Sequence, residues 1–109
     1  MAYDEQLALR LRPMLIGPLG CVEKKMFGGV GFLRHGNMLL GIWKSSLIAR
    51  VGADAYEPSL RLPCVREFDI TGRPMTGWVM IDAEGLQNEA DLIEWIEKSR
   101  KFVDTLPRK

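Results

Sequence analysis

Residues 30–43 hold two apolar runs, Val30-Gly31-Phe32-Leu33-Arg34 and Asn37-Met38-Leu39-Leu40-Gly41-Ile42-Trp43, separated only by His35-Gly36. A two-residue connection closes a β-hairpin when its residues take positive φ, and glycine at the second position suits that turn. The centre of the chain is therefore committed to antiparallel strands. With the turn at His35-Gly36, Leu33 is expected to face Met38 and Phe32 to face Leu39. One face then carries Gly31, Leu33, Met38, Leu40 and Ile42, and the other Val30, Phe32, Leu39 and Trp43. Both faces are apolar, whereas a sheet covered on one side alternates more cleanly. Either helices cover part of both faces, or the second face meets another subunit.

Further elements surround this hairpin. Leu7, Leu11, Met14 and Leu15 recur at helical spacing, with Asp4 placed to cap the start and Gly17-Pro18 to stop it. Pro13 removes a backbone donor, so a kink or break is expected near Arg12. Residues 21–27 read as a strand ending at Gly28-Gly29, and Leu47 to Val51 as a strand after a turn at residues 44–46. A short helical turn from Ala53 to Glu57 is expected to end at Pro58. Val65 to Asp69 and Gly77 to Asp82 read as two strands joined across Thr71-Gly72-Arg73-Pro74. In the last helix Asn88 and Asp91 have capping-box spacing, and Leu92, Trp95, Ile96, Ser99, Phe102, Val103 and Leu106 trace one apolar face. Glu94 with Lys98 and Glu97 with Lys101 are spaced to pair on the wet side. The order is an α+β fold: an antiparallel sheet of five to six strands flanked by N- and C-terminal helices, in one domain spanning 1–109.

Charge and cysteine content narrow the function classes. The 15 basic and 14 acidic side chains leave a formal charge of +1, and the bases are scattered between acids. A nucleic-acid binder normally concentrates positive charge on one face, so direct nucleic-acid binding is not expected. Cys21 and Cys64 lie far apart without metal-ligand spacing and read as reduced, space-filling residues. Early charges interrupt any leader-like segment, and the apolar run around Met38 to Trp43 is too short to span a bilayer. A cytoplasmic protein without a membrane partner is expected.

No constellation for bond-making stands out. His35 sits at the hairpin turn, where Arg34 and Gly36 offer it no catalytic partner. No catalytic residue, metal site or cofactor is assigned. Lys24 and Lys25, close to Gly28-Gly29, fail both the dinucleotide and the P-loop spacing. Adjacent strand residues also point to opposite faces, so the two lysines read first as edge charges that discourage aggregation. One of them could still join Arg50 and Arg73 in an anion-binding corner. Arg73 could instead stack on a ring or pair with Asp69, while an exposed Arg73 and Trp78 would make a partner-binding hot spot.

These same stretches carry a family resemblance. Lys24-Lys25-Met26-Phe27-Gly28-Gly29, Gly36-Asn37-Met38, Arg50-Val51-Gly52, Tyr56, Phe68-Asp69, Thr71-Gly72-Arg73-Pro74-Met75 and Gly77-Trp78-Val79 occur in order along the chain. With them the chain resembles the N-terminal domain of the TfoX/Sxy family, bacterial proteins named as regulators of competence. The resemblance implies an α/β sandwich similar to type III secretion chaperones, a fold often found as dimers, so a homodimer is expected. Relatives that regulate competence are similar to a two-domain design and act with the cyclic-AMP receptor protein; the 109 residues are expected to hold the first domain alone. The resulting expectation is a non-enzymatic interaction domain, a competence-type transcriptional regulator whose partner is a protein such as a factor of the cyclic-AMP receptor type. The candidate contact residues are Lys24, Lys25, Arg50, Arg73 and Trp78. The alternative is a small anionic-ligand domain using Lys24 or Lys25, Arg50 and Arg73.

Overall fold

A computed structural model describes residues 3–26, 28–69, 72 and 75–108. The chain runs α1 (Glu5–Leu19), β1 (Val22–Met26), β2 (Gly29–Arg34), β3 (Asn37–Trp43), β4 (Ser46–Arg50), α2 (Ala53–Leu60), β5 (Val65–Glu67), β6 (Trp78–Ile81), a 3-10 turn (Ala83–Leu86) and α3 (Glu89–Val103). The strands form one antiparallel sheet in the order β1-β2-β3-β4-β6-β5. This is the α+β architecture that the pattern of apolar runs and turns implies, with six strands and a helix at each end. None of the helices among the described residues is long and apolar enough to cross a membrane.

The hairpin forms at His35-Gly36, with φ of 54° and 84° at its two turn residues. Leu33 pairs with Met38 as expected, but Phe32 pairs with Leu40 and not Leu39. A bulge between Phe32 and Leu33 inserts Leu39 as an extra residue, which reverses the faces of everything beyond it. Leu40 and Ile42 therefore join Val30 and Phe32 against the helices, and Gly41 and Trp43 turn the other way.

Prolines disturb the helices less than the sequence suggests. Asp4 caps α1 by accepting the amides of Gln6 and Leu7 at 2.9 and 3.3 Å. The break expected near Arg12 and the stop expected at Gly17-Pro18 are both absent, because α1 continues through Pro13 and Pro18 to Leu19. Pro13 and Leu9 are both exposed, which puts the Leu9 carbonyl left without a donor on the wet side of the helix, within reach of solvent. The helix ends instead at Gly20, in the left-handed conformation, where the amides of Gly20 and Cys21 both reach the Leu15 carbonyl. Pro58 likewise fails to end α2, which runs to Leu60; Pro58 and Asp54, four residues before it, are both exposed. In α3 the Asn88 side chain makes no capping bond; its backbone carbonyl accepts the Asp91 amide instead. On the wet side Glu97 pairs with Arg100 and not Lys101, and Lys98 lies over the Trp95 ring and not beside Glu94.

All three helices pack on one face of the sheet. Leu7, Leu11 and Leu15 from α1, Tyr56 from α2, and Leu92, Trp95, Ile96 and Val103 from α3 bury Val30, Phe32, Leu40, Ile42, Leu47, Ala49, Val79 and Ile81. The opposite face is covered by neither of the two expected arrangements around its centre. Ile48 and Met80 are 0% exposed within the single chain, packed with Phe68 from the segment after β5 and with Met38, Trp43 and Trp78. Apolar exposure remains at the rim of the fold, with Val22 on the edge strand 64% exposed and Leu9 and Ile16 on the outer side of α1.

Candidate functional site

Strand order decides which of the candidate residues can act together. Lys24 and Lys25 are exposed on β1, an edge strand, paired with Gly31 and Val30. Arg50 closes β4, three strands away in the sheet, and pairs with Trp78 of β6. The structure thus brings Arg50 and Trp78 together and leaves both lysines on the far side of the sheet. Arg73 and its neighbour Pro74 lie outside the described residues, as does Phe27. The edge position of Lys24 and Lys25 fits charges that block further strand pairing. Next to them Glu23 accepts two bonds from Arg12 of α1 at 2.8 and 3.0 Å, tying the edge strand to the helix layer.

Around Arg50 the sequence builds a small aromatic enclosure. By strand alternation Arg50 and Trp78 belong to the face away from the helices, whereas Phe102 comes from α3 on the helix side. At the end of β4 the two sides meet. The Arg50 guanidinium carbon lies 5.0 Å from the Trp78 ring centroid and 5.7 Å from that of Phe102. Phe68 supports the indole from behind at 6.0 Å, with the ring planes tilted by 34°. Among the described residues Arg50 has no carboxylate partner within salt-bridge distance. Burial between the rings holds its guanidinium below the ordinary arginine range, yet it remains a cation at any physiological pH.

Glycines set the floor of this enclosure. Gly52 has φ 87° and ψ 164°, a conformation that only glycine adopts readily, and a Cβ there would stand 2.4 Å from Phe102 Cδ1. The Gly77 carbonyl accepts the amides of Val51 and Gly52 at 2.8 and 3.0 Å, clamping the β4 exit to the β6 entry. Arg50, Gly52, Ala53, Thr76, Gly77, Trp78 and Phe102 line a cleft of about 210 Å³. A second cleft of about 400 Å³ lies beside the same phenyl ring, lined by Val51, Asp54, Ala55, Lys98, Lys101 and Thr105. Helix α2 opens onto both without a side-chain cap.

Membership follows from the order of these segments. The family model for the TfoX N-terminal domain matches residues 14–103. The chain belongs to the TfoX N-terminal domain family. Searches of curated proteins and of solved structures give no significant match. The match takes in β4, Gly52, Gly77-Trp78 and Phe102, and so the whole described wall of the cleft. The family is not one of known enzymes, and its name points to a regulatory domain connected with competence.

The remaining chemistry of this TfoX N-terminal domain is spread out. His35 sits exposed on the hairpin turn. Cys21 is buried, and burial pushes its thiol up, with Arg34 offsetting part of the effect. Cys64 is a half-buried free thiol at φ 65°, in a cleft of about 300 Å³ shared with Glu84, Asp91, Glu94 and Lys98. No group of three or more His, Cys, Asp or Glu placed to hold a metal occurs among the described residues. Sequence reasoning missed Phe102 as a site residue, because its spacing on α3 marks it only as part of the apolar face. The signal available was Arg50 at a strand end, two residues before a glycine.

Proposed function

We propose that this chain is a non-enzymatic regulatory domain that works by binding a protein partner, and that the Arg50–Trp78–Phe102 face is its recognition surface. The observation that carries the reading is a guanidinium lying against two aromatic rings, 5.0 and 5.7 Å from their centroids, with no acidic partner among the described residues, at a cleft lined in part by glycine. Arginine and tryptophan supply a disproportionate share of binding energy at protein interfaces, most of all where packing holds them rigid before the partner arrives. Family membership adds the regulatory context, and the partner is a transcription factor of the cyclic-AMP receptor type. Contact is with that protein and not with DNA, since basic side chains are scattered and nearly balanced by acids.

The test is affinity capture from a native bacterial lysate with the wild-type domain and with an Arg50→Gln/Trp78→Ala variant whose fold is checked by circular dichroism. Wild type is expected to retain a transcription factor at stoichiometric level, and the variant to lose it. Recovery of no transcription factor by the wild-type domain refutes the proposal.

A further inference from the structure

Resting on that reading of the face as a partner surface, we infer what it recognises: an acidic group held beside an aromatic or apolar side chain in one segment of the partner protein. The two clefts that meet at Phe102 differ in chemistry, and the difference defines the occupant. The smaller is mixed, with the Arg50 guanidinium and Thr76 set among Trp78, Phe102 and glycine backbone. The larger is apolar along Val51, Ala55 and Phe102.

Charge favours an anion. Arg50, Lys98 and Lys101 surround the two clefts and Asp54 is the one acid lining them. The uncapped start of α2 has the same sign. Of these three cations Arg50 alone carries a planar fork of N–H donors, Lys98 and Lys101 being point charges on flexible stems. The Trp78 and Phe102 rings lie close to the Arg50 guanidinium carbon, at 5.0 and 5.7 Å, and the N–H donors along its planar edge have no carboxylate partner among the described residues. A planar edge of that kind fits a carboxylate in a bidentate manner. Because the rings already immobilise and partly dehydrate the group, pairing gives up less entropy and hydration than it would for a free surface arginine.

Shape favours a peptide over a free metabolite. Pockets for small ligands enclose about 70–90% of the ligand surface. Here both clefts open to solvent and share Phe102 as a wall, an arrangement that suits a side chain and its neighbour reaching one cleft each. An acidic residue would enter the Arg50 cleft while an adjacent apolar side chain fills the space above Val51 and Ala55.

The experiment is a ¹H–¹⁵N titration of the 109-residue chain with four probes: N-acetylphenylalanine, its C-terminal amide, acetate and inorganic phosphate. The expected result is saturable shifts at the Gly52 and Ala53 amides and the Trp78 indole, with the acid binding at least about tenfold tighter than the amide, as a charge-assisted pair requires. Acetate should bind more weakly than the acid by a similar factor, because it leaves the apolar cleft empty. Arg50→Gln should remove the preference for acid over amide, and Lys24→Gln, on the far edge of the sheet, should leave it unchanged. Should Arg50→Gln fail to fold, the comparison of acid with amide on wild type decides alone. Equal binding of acid and amide, or absence of saturable shifts, overturns the inference. So does acetate or inorganic phosphate binding as tightly as the acid, which would mark a simple anion site. A partner captured equally by wild type and by the Arg50 variant would sink this assignment of chemistry while leaving an interaction domain that docks elsewhere.

Discussion

Gly52→Ala isolates how much of the fold depends on one missing side chain. Two separate effects add there. At φ 87° and ψ 164° an alanine is held in backbone space that L-residues rarely occupy, which costs about 1–3 kcal/mol. The new Cβ also stands 2.4 Å from Phe102 Cδ1 and 2.8 Å from its Cγ, so the ring must move, and overpacking of this kind costs about 1–3 kcal/mol. The sum, about 2–6 kcal/mol, is a large part of the roughly 5–15 kcal/mol that stabilises a domain of this size. At roughly 4–8 °C per kcal/mol, Tm should fall by about 10 °C or more. Urea melts followed by circular dichroism would measure it, with an unchanged m-value confirming that the same surface unfolds. The two effects separate in a Phe102→Ala background, where Gly52→Ala should retain only the backbone share. Gly31→Ala is the internal control: the three atoms nearest its Cβ all belong to the flexible Met26 side chain, Sδ at 2.8 Å and Cε at 3.1 Å, and the change should stay within about 1 kcal/mol. A Gly52→Ala protein with wild-type stability, or an equal loss with and without the Phe102 ring, refutes the reasoning.

Other substitutions test the rest of the frame. Pro13→Ala restores the missing donor in the middle of α1 and should raise stability by about 1–3 kcal/mol in a chemical melt, since proline in a helix interior is disfavoured by roughly 3 kcal/mol against alanine; a loss of stability would contradict the account of how α1 tolerates it. Ser99→Ala should be stabilising by about 1 kcal/mol, because the Ser99 hydroxyl is buried without a hydrogen-bond partner among the described residues. Acid should weaken the fold. Hydrogen bonds from Arg12 and from Arg34 hold the carboxyls of Glu23 and Asp104 below their ordinary values. Groups so depressed contribute stability that is complete above their unfolded pKa and is lost as pH falls through the folded one. Tm recorded from pH 6 downward should therefore begin to fall near about pH 4–5, the range of free carboxyls, and Glu23→Gln should flatten that slope; an unchanged slope in Glu23→Gln would remove Glu23 from the explanation.

Much of the fold was legible because local chemistry decides it. His35-Gly36 fixes the hairpin, Asp4 starts α1, and the heptad-like spacing of Leu92, Trp95, Ile96 and Ser99 fixes the buried side of α3. What failed depended on water or on distant residues. Pro13 and Pro58 look like breakers in a sequence, but the carbonyls they strand face solvent. The bulge at Leu39 is invisible in a run where Leu39 and Leu40 are equally apolar, and a one-residue slip exchanges the faces. The site was half legible for the same reason. The sequence offers Arg50 and Trp78 as separate candidates, and strand pairing makes them neighbours. Phe102 could not be placed with them, because 52 positions separate it from Arg50 and only the docking of α3 joins the two. Lys24 and Lys25 were grouped with Arg50 by composition, a grouping that takes no account of strand order.

The order β4-β6-β5 has a consequence for synthesis at the ribosome. Residues 22–50 can form their four-stranded meander as soon as they emerge, since every pairing in it is between successive strands. β5 then appears with no bonding neighbour, because the strand that must slip in between it and β4 is made later. The meander meanwhile keeps part of one oily surface open, beyond what α1 covers, until α3 arrives. From the end of β4 to the end of α3, 50 or so residues and a few seconds at roughly 5–20 residues per second, the nascent domain is thus a half-roofed sheet. That interval, more than the finished molecule, is where a chaperone would act.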